Sequence, residues 1–167
     1  MAKKQIVIAL TGTPGAGKTS IAKILARAGW LRLELNKLVK KEKLYSGWDK
    51  KRKTWIVDER KLKKFVADFI SKNHEKNIVV DSHISHILPT KFFTQVFVLR
   101  CEPKILEKRL KKKNWSREKI RENVEAEIIG LIEFEAREKH KKVFSINTTE
   151  ISAAGAASRI LEKLKSI

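Results

Sequence analysis

Residues 12–19, GTPGAGKT, constrain the fold more than any other part of this 167-residue chain. They match G-x-x-x-x-G-K-[ST], the phosphate-binding P-loop. The apolar run at 5–10 predicts a strand before the loop, and apolar residues at helical spacing predict a helix over 18–28 after it. A glycine-rich loop between a strand and a helix N-terminus forms an anion site, because backbone N–H groups and the helix dipole favour negative charge there. The alternative, a glycine-rich turn without a ligand, does not account for these flanking elements.

Each position of the motif predicts a contact with a nucleoside triphosphate. The glycines let the backbone turn its N–H groups toward phosphate oxygens. Lys18 is expected to reach the β- and γ-phosphates, and the Thr19 hydroxyl to hold Mg²⁺. The predicted cofactors are therefore ATP and Mg²⁺.

Composition limits the class of protein. The length suits one domain with a substantial core, and the longest apolar runs are too short to span a bilayer. Residues 1–4 lead directly into the first predicted strand, which leaves no room for a signal peptide. Cys101 is the single cysteine, so no internal disulfide can form and a packed thiol is expected. We therefore expect a cytoplasmic protein that has no membrane partner.

The net charge of +19, from 38 basic and 19 acidic residues, is the second strong constraint. Such a charge attracts polyanions such as nucleotides, RNA and acidic proteins. A thermophile surface with ion-pair networks is the alternative, but half of the basic residues have no acidic counterpart. Basic residues concentrate in 37–53 and 104–121, with Trp48, Trp55 and Trp115 in or beside them. This mixture suits nucleotides or single-stranded RNA, and equally two solvated faces with tryptophans packed beneath them.

Strand and helix patterns alternate along the chain, which predicts an α/β fold whose parallel sheet has helices on both faces. Strands are predicted at 5–10, 31–33, 78–80, 95–99 and 143–146. Helices are predicted at 18–28, 36–43, 58–73, from Pro103 onward, at 116–139 with Ser116 as its N-cap, and at 152–164. Residues 44–54 are expected to form an irregular basic loop.

Asp81 ends the apolar run 78–80, as expected of a Walker B carboxylate that holds Mg²⁺ through water opposite Thr19. The alternative role is that of a turn former. His83 follows two residues later and is predicted to lie near the γ-phosphate, where it would position water or donate a hydrogen bond. His86 is expected to be a structural histidine bonded to the backbone. Arg100, at the end of another strand, is either a phosphate clamp or an ion-pair partner.

GTPGAGKT, LYSGWD, VVDSHISH, FVLR and the run WSREKIRENVEAEI occur in this order. Together they resemble the adenylate kinase isoenzyme 6 family, also called CINAP, nearly end to end as far as residue 129, and the chain resembles an archaeal member. The resemblance implies a P-loop NTPase of the nucleoside-monophosphate-kinase type that forms one domain, 1–167. A monophosphate-binding arm maps to about 34–57 and a short lid to about 112–122.

The resemblance also implies site residues and partners. ATP contacts fall on six P-loop residues: Gly15, Ala16, Gly17, Lys18, Thr19 and Ser20. A family arginine that begins the lid is replaced by Lys113, which keeps the charge but loses the planar fork. Arg109 or Arg117 are alternatives for that contact. The family has adenylate kinase and ATPase activity and takes part in maturation of the small ribosomal subunit, in contact with one of its proteins.

Two functions are therefore predicted, with Lys18, Asp81 and His83 as the catalytic candidates. The first is reversible phosphoryl transfer from ATP to AMP, with ATP hydrolysis as a side activity because the lid is short. The second is a ribosome-assembly ATPase whose basic segments bind rRNA or a ribosomal protein. Noncatalytic nucleotide binding is disfavoured because Lys18, Thr19 and Asp81 are all present.

Overall fold

The computed structural model describes residues 4–167 and contains a five-stranded, entirely parallel sheet in the order β2-β5-β1-β6-β7. A separate antiparallel pair joins β3 and β4. The strands are β1 (Val7–Gly12), β2 (Leu31–Glu34), β3 (Tyr45–Asp49), β4 (Thr54–Val57), β5 (Ile78–Asp81), β6 (Gln95–Arg100) and β7 (Val143–Asn147).

Seven α-helices occur in the described residues. They are α1 (Lys18–Arg27), α2 (Leu35–Lys41), α3 (Glu59–Lys72), α4 (Pro103–Lys111), α5 (Arg117–Ile128), α6 (Leu131–Lys139) and α7 (Ala153–Lys165). Two 3₁₀ turns, Ser85–Ile87 and Thr90–Phe92, connect β5 to β6. None of the helices described between residues 4 and 167 is long and apolar enough to cross a membrane.

Helices cover both faces of the sheet, as the alternating pattern predicts. Side chains alternate along each strand, so Ile8 and Leu10 of β1 belong to one core cluster while Val7 and Ala9 belong to others. Helices α1, α4 and α7 pack on the face of the sheet that carries Ile8 and Leu10. Helices α2, α3 and α6 pack on the opposite face. The α/β class and the two-sided architecture are confirmed.

Local sequence accounts for several helix boundaries. The Asp58 carboxylate accepts the N–H groups of Arg60 and Lys61 at 3.1 Å each, which starts α3. The Ser116 hydroxyl oxygen accepts the N–H of Lys119 at 3.2 Å, so Ser116 is the predicted N-cap of α5. Pro103 occupies the first turn of α4, where a missing N–H removes no helical bond. These helix starts are confirmed.

The predicted irregular loop over 44–54 is wrong, because β3 and β4 form a hairpin there. Trp48 lies opposite Trp55, and the ring centroids are 4.8 Å apart. Tyr45 stacks on Trp55 at 4.0 Å. Cross-strand aromatic contacts stabilise a strand pair, and they account for order in a segment whose charge suggested a loop. The basic residues occupy the turn between the strands.

The predicted single helix over 116–139 is also wrong, because α5 ends at Ile128 and α6 begins at Leu131. Gly130 has φ +66°, a left-handed conformation that glycine adopts without strain. A Cβ atom at this position would lie 3.2 Å from Arg100 Nη1, so packing also favours glycine. Several other boundaries move by one or two residues, and β1 runs over Val7–Gly12 rather than 5–10. Residues 1–3, on which the signal-peptide prediction partly rests, lie outside the described residues.

Candidate functional site

A cleft of about 1340 Å³ opens at the carboxyl end of β1. Its lining comes from the P-loop and the start of α1, from α2, from the β3–β4 hairpin, from the loop after β5, from Arg109 of α4, and from the stretch from Lys113 into α5. In a parallel α/β sheet the carboxyl ends of the strands are the usual place for ligands. The P-loop lies here because β1 is the middle strand of five.

The P-loop passes very close to β6. Gly12 has φ +141°, and a Cβ atom there would lie 2.6 Å from the carbonyl oxygen of Leu99. No larger residue fits this position without moving the neighbouring strand. The loop therefore turns directly from the sheet into the N-terminus of α1, where the first-turn N–H groups have no helical acceptor.

Lys18 folds back over the loop. Its Nζ donates to the carbonyl oxygen of Gly12 at 2.6 Å and to that of Thr13 at 3.0 Å. Burial lowers the pKa of Lys18 well below its ordinary value, to about 8, although the charge of Asp81 opposes this shift. The negative charge of an arriving phosphate group would oppose this shift and favour the charged ammonium.

Side chains from distant parts of the chain brace the P-loop from outside. Thr148 donates to the carbonyl oxygen of Ala16 at 2.7 Å. Arg109 donates to the carbonyl oxygens of Gly15 at 3.3 Å and Thr148 at 3.0 Å. These contacts hold the carbonyl groups of Gly15 and Ala16 in place.

Glu127 ties the loop to α5. Its carboxylate is 3% exposed and accepts from the Thr13 hydroxyl at 2.6 Å, from Arg100 Nε at 2.7 Å and from the Cys101 N–H at 3.0 Å. Thr13 is one of the variable positions of the motif. A buried carboxylate of the helix that follows the predicted lid therefore holds the phosphate-binding loop directly.

Arg100 is an ion-pair partner, which is the second of the two roles predicted for it. Its guanidinium donates to Glu127 and, at 2.6 Å, to Glu133. Burial alone would raise the pKa of Glu133, but hydrogen bonds from Ser145, Arg137 and Arg100 outweigh it and lower the pKa to about 2. With its donors engaged in this way, Arg100 is not directed to a phosphate.

Asp81 lies at the end of β5 and is 4% exposed. Arg32 of β2 donates to Asp81 Oδ2 from Nε at 2.9 Å and from Nη2 at 2.6 Å. Among the hydrogen bonds of residues 4–167, none involves Oδ1 of Asp81. The carboxylate is thus half engaged, and its second oxygen remains for another ligand.

The residues present fit a magnesium ion. Thr19 lines the cleft; Asp81 is not among the lining residues, but it interacts electrostatically with Lys18, which lines the cleft. A hydroxyl and one unengaged carboxylate oxygen are hard oxygen donors, and Mg²⁺ in nucleotide sites takes a few such donors together with water and phosphate.

His83 lines the same cleft as the P-loop residues, whereas His86 is buried. The contact of His83 with the γ-phosphate stays a prediction. Burial, together with the neighbouring charge of Lys18, lowers the pKa of His83 to about 4. The imidazole is therefore neutral at pH 7. It can donate or accept a hydrogen bond there, but it does not add positive charge to the site.

His86 is structural, as predicted, but its ring contacts side chains and not the backbone. Nδ1 lies 2.8 Å from the Thr11 hydroxyl and Nε2 lies 3.0 Å from Glu135. Burial lowers the pKa of His86, so the neutral ring donates from Nε2 and accepts at Nδ1. His140 Nε2 donates to the His86 carbonyl oxygen at 2.7 Å, which fixes the loop after β5.

Trp115 and two lysines form one side of the cleft. Lys119 Nζ lies 3.9 Å from the Trp115 ring centroid, and Lys113 Nζ lies 5.5 Å from it. Arg109 also lines the cleft, whereas Arg117 is not among the lining residues. The structure thus brings the predicted Lys113 and the alternative Arg109 to the same cleft as the P-loop.

The hairpin forms the opposite side. Trp55 and Val57 line the cleft together with Val39 and Asn36, so this end is more apolar than the P-loop end. Lys51, Arg52 and Lys53 of the turn also line it. Trp48 is 46% exposed on the same strand pair. The cleft thus has a phosphate-binding end and an aromatic end.

Sequence reasoning missed four residues of the site: Thr13, Arg32, Glu127 and Thr148. Thr13 lies at a position that the motif leaves free, and the other three come from segments without a phosphate-binding signal. Arg32 lies in the middle of the short predicted strand 31–33, and nothing in the local sequence indicates its contact with Asp81. The order of strands in the sheet, which the sequence does not state, decides that Arg32 faces Asp81.

Fold and site together define a P-loop protein of the nucleotide-dependent kinase class. A family model described as "AAA domain" matches residues 8–130. A "Putative adenylate kinase" of Methanocaldococcus jannaschii is 38% identical, over 95% of this chain and 85% of the relative. Another of the same name, from Methanosarcina acetivorans, is 40% identical over 96% of this chain and 89% of the relative.

The chain therefore belongs to the AAA-domain family and, within it, to the adenylate kinase family of these relatives, as the motifs predicted. Solved structures show the same fold at lower identity. Shikimate kinase from Bacteroides thetaiotaomicron has a TM-score of 0.64 at 15% identity, covering 96% of this chain and 98% of that one. Deoxyadenosine kinase from M. mycoides has a TM-score of 0.57 at 18% identity, covering 97% and 100%.

Proposed function

We propose that this protein is an adenylate kinase, which transfers the γ-phosphoryl group of ATP reversibly to AMP and forms two ADP. The observation that carries the proposal is the cleft with two unlike ends. Its volume of about 1340 Å³ exceeds the roughly 300–1000 Å³ that is usual for one small-molecule pocket. The family relationship supports the identity of the two nucleotides.

The P-loop end suits the triphosphate. We assign the phosphate contacts of ATP to Gly15, Ala16, Gly17, Thr19 and Ser20, with Lys18 at the β- and γ-phosphates. Lys113 of the proposed lid, about residues 112–122, would add positive charge from the other side. The proposed acceptor arm, about residues 34–57, contains the hairpin that lines the aromatic end.

The acceptor needs little chemical activation. The attacking atom is a phosphate oxygen of AMP that is already ionised, so no strong general base is required. Catalysis is then positioning and charge stabilisation, in which Lys18 neutralises charge on the transferring group. The neutral His83 would hold a phosphate oxygen or a water molecule by a hydrogen bond.

Thr19 and, through water, Asp81 would hold Mg²⁺, which supplies charge neutralisation across the phosphate oxygens when it is bound. We expect the reaction to take place in the cytoplasm.

The proposal is tested by following ATP consumption and ADP formation with AMP, CMP, GMP, UMP or no acceptor. We expect AMP to give the fastest turnover, with two ADP formed for each ATP consumed. Consumption of ATP that is equally fast with and without every acceptor would contradict the kinase assignment.

We also infer a slower hydrolysis of ATP in the absence of AMP. The segment between α4 and α5 is only five residues long, 112–116, and a small flap excludes water less completely than a large lid. Brisk AMP-dependent turnover without detectable hydrolysis would exclude this side activity.

A second candidate function is that of an ATPase in small-subunit ribosome maturation, bound to rRNA or to a ribosomal protein. The hairpin favours it, because Trp48 is 46% exposed beside the basic turn Lys50–Lys53. Exposed aromatic and basic side chains together suit single-stranded RNA. We expect RNA affinity that falls with salt concentration and that falls further when Lys50, Lys51, Arg52 and Lys53 are neutralised. Unchanged affinity in that variant would count against RNA binding by the hairpin.

A further inference from the structure

The ion pair between Arg32 and Asp81 lies at the carboxyl edge of the sheet, where β2 and β5 are neighbours. Both donors of the Arg32 fork reach one oxygen of Asp81, at 2.6 and 2.9 Å. The side chain of Arg32 is 15% exposed and that of Asp81 is 4% exposed. The contact is thus largely withdrawn from water, and solvent screens it little.

A second carboxylate shares the same guanidinium. Arg32 Nη1 lies 3.3 Å from Glu34 Oε2, and Glu34 lies opposite Asp81 in the strand register. Arg32 and Glu34 are two residues apart in one strand and therefore project from the same face. The positive charge of Arg32 holds two acidic groups together beside the P-loop.

We propose that Arg32 competes with the divalent cation for Asp81 and so restricts metal entry to the metal–nucleotide complex. This inference rests on the metal role that is proposed above for Asp81. Arg32 acts here as a positioning residue, because it contacts the metal ligand and not the substrate.

Charge accounts for the competition. A guanidinium is not deprotonated in proteins, so Arg32 stays positive at every working pH. A free divalent ion would approach a carboxylate that Arg32 already half neutralises, with the Lys18 ammonium close by. A triphosphate brings several negative charges into the same site and offsets both cations, and the ion then binds with its nucleotide.

A purely structural ion pair is the alternative, in which Arg32 only holds the edge strand β2 to β5. The two roles predict different responses of metal affinity. If Arg32 competes with metal, its removal leaves Asp81 and Glu34 as neighbouring carboxylates without their shared cation, and metal binds more tightly. If Arg32 is structural, its removal leaves metal affinity unchanged or weakens it.

The test is an electron paramagnetic resonance titration of nucleotide-free protein with Mn²⁺, which reports free ion directly. We expect Arg32→Gln to raise Mn²⁺ affinity on the order of tenfold over the wild type. Adding Asp81→Asn should remove the gain. Arg60→Gln is the matched control, because it removes one positive charge from an exposed position on α3 and should leave the affinity unchanged.

A rise in affinity that survives Asp81→Asn would overturn the proposal, as would unchanged affinity in folded Arg32→Gln. If Arg32→Gln does not fold, Arg32→Lys decides the matter, because lysine keeps the charge but cannot place two donors on one oxygen. We then expect a rise of about threefold, and no rise would contradict the competition.

The experiment is independent of the catalytic proposal. Mn²⁺ binding is measured without nucleotide, so an absence of adenylate kinase activity does not affect the outcome. Conversely, the wild-type protein can be an active kinase while Arg32→Gln binds Mn²⁺ no more tightly than it does. In that case the proposed function stands, and only the proposed role of Arg32 is contradicted.

Discussion

Along the P-loop wall of the cleft, side chains from three other elements hold the loop in place: Glu127, Arg109 and Thr148. The wall formed by residues 113–123 is different. In the part of the chain that the structure describes, no ion pair or hydrogen bond reaches the Lys113 ammonium, and the Trp115 ring beside it is its partner. One wall is fixed before any ligand arrives, and the other presents exposed charge.

This difference between the two walls indicates which of them contributes more to nucleotide binding and catalysis. A preformed phosphate site needs no reorganisation when a phosphate binds, which favours transition-state stabilisation there. An exposed lysine on a short segment contributes less, because water screens it and because ordering its side chain costs entropy. We therefore expect substitutions on the P-loop wall to have larger effects than those on the wall of residues 113–123.

The largest effect is expected for Lys18→Ala, which removes the one ammonium group inside the fixed wall. We predict a loss of about 10³-fold in kcat/KM for ATP and AMP, because removal of a single well-placed charge donor costs this order of rate. Steady-state kinetics measures it. Lys23→Ala, an exposed substitution on the same helix, is the control and should be silent. A tenfold loss or less would show that the fixed wall is not the main source of catalysis.

Glu127→Gln tests whether the fixed wall depends on its buried carboxylate. The substitution leaves Arg100 short of a charged partner and weakens the hold on Thr13. We predict a loss of about 3 kcal/mol in the free energy of unfolding, measured by urea denaturation. Glu125→Gln on the same helix is exposed and should change stability by less than about 0.5 kcal/mol. Equal effects of the two substitutions would contradict the buried network.

Lys113→Ala tests the exposed wall. We predict a rise in the KM for ATP of about tenfold and a smaller change in kcat, because the residue adds charge at the phosphates without being prearranged. The control is Lys112→Ala, since Lys112 does not line the cleft. An unchanged KM in Lys113→Ala would contradict a phosphate contact by Lys113.

The smallest expected effect is the uptake of a proton by Lys18, in the fixed wall, when ATP binds. Because the pKa of Lys18 is lowered to about 8, the free protein carries this ammonium only half protonated at pH 8. Bound triphosphate raises the pKa again, so binding should take up about half a proton at pH 8 and almost none at pH 6.5. Calorimetry in buffers of different ionisation enthalpy measures this. No uptake at pH 8 would show that Lys18 is fully charged before ATP arrives.

The sequence predicts the fixed wall far better than the exposed one. The P-loop motif names its own residues, and the alternation of strands and helices places it at the ligand edge of the sheet. The supports of the loop are less visible, because Glu127 and Thr148 approach from 114 and 132 residues away along the chain. No local pattern encodes such contacts.

The β3–β4 hairpin and the break between α5 and α6 at Gly130 are the two parts of the fold that the sequence did not predict. Thr54, Ile56 and Val57 of β4 are β-branched and favour a strand, whereas the prediction of a loop rested on the basic run that precedes them. At Gly130 the apolar pattern continues across the break, and only the glycine indicates a helix end. In both places the deciding contact is tertiary: Tyr45 against Trp55, and Arg100 against Gly130.

The transfer of a labelled phosphoryl group tests the central claim most directly. The protein is incubated with Mg²⁺, AMP and ATP that carries ³²P in its γ-phosphate, and the products are separated. We predict that the label appears in the β-phosphate of ADP formed from AMP, and that Lys18→Ala prevents this. Label that appears only as inorganic phosphate, at the same rate with and without AMP, would contradict the account.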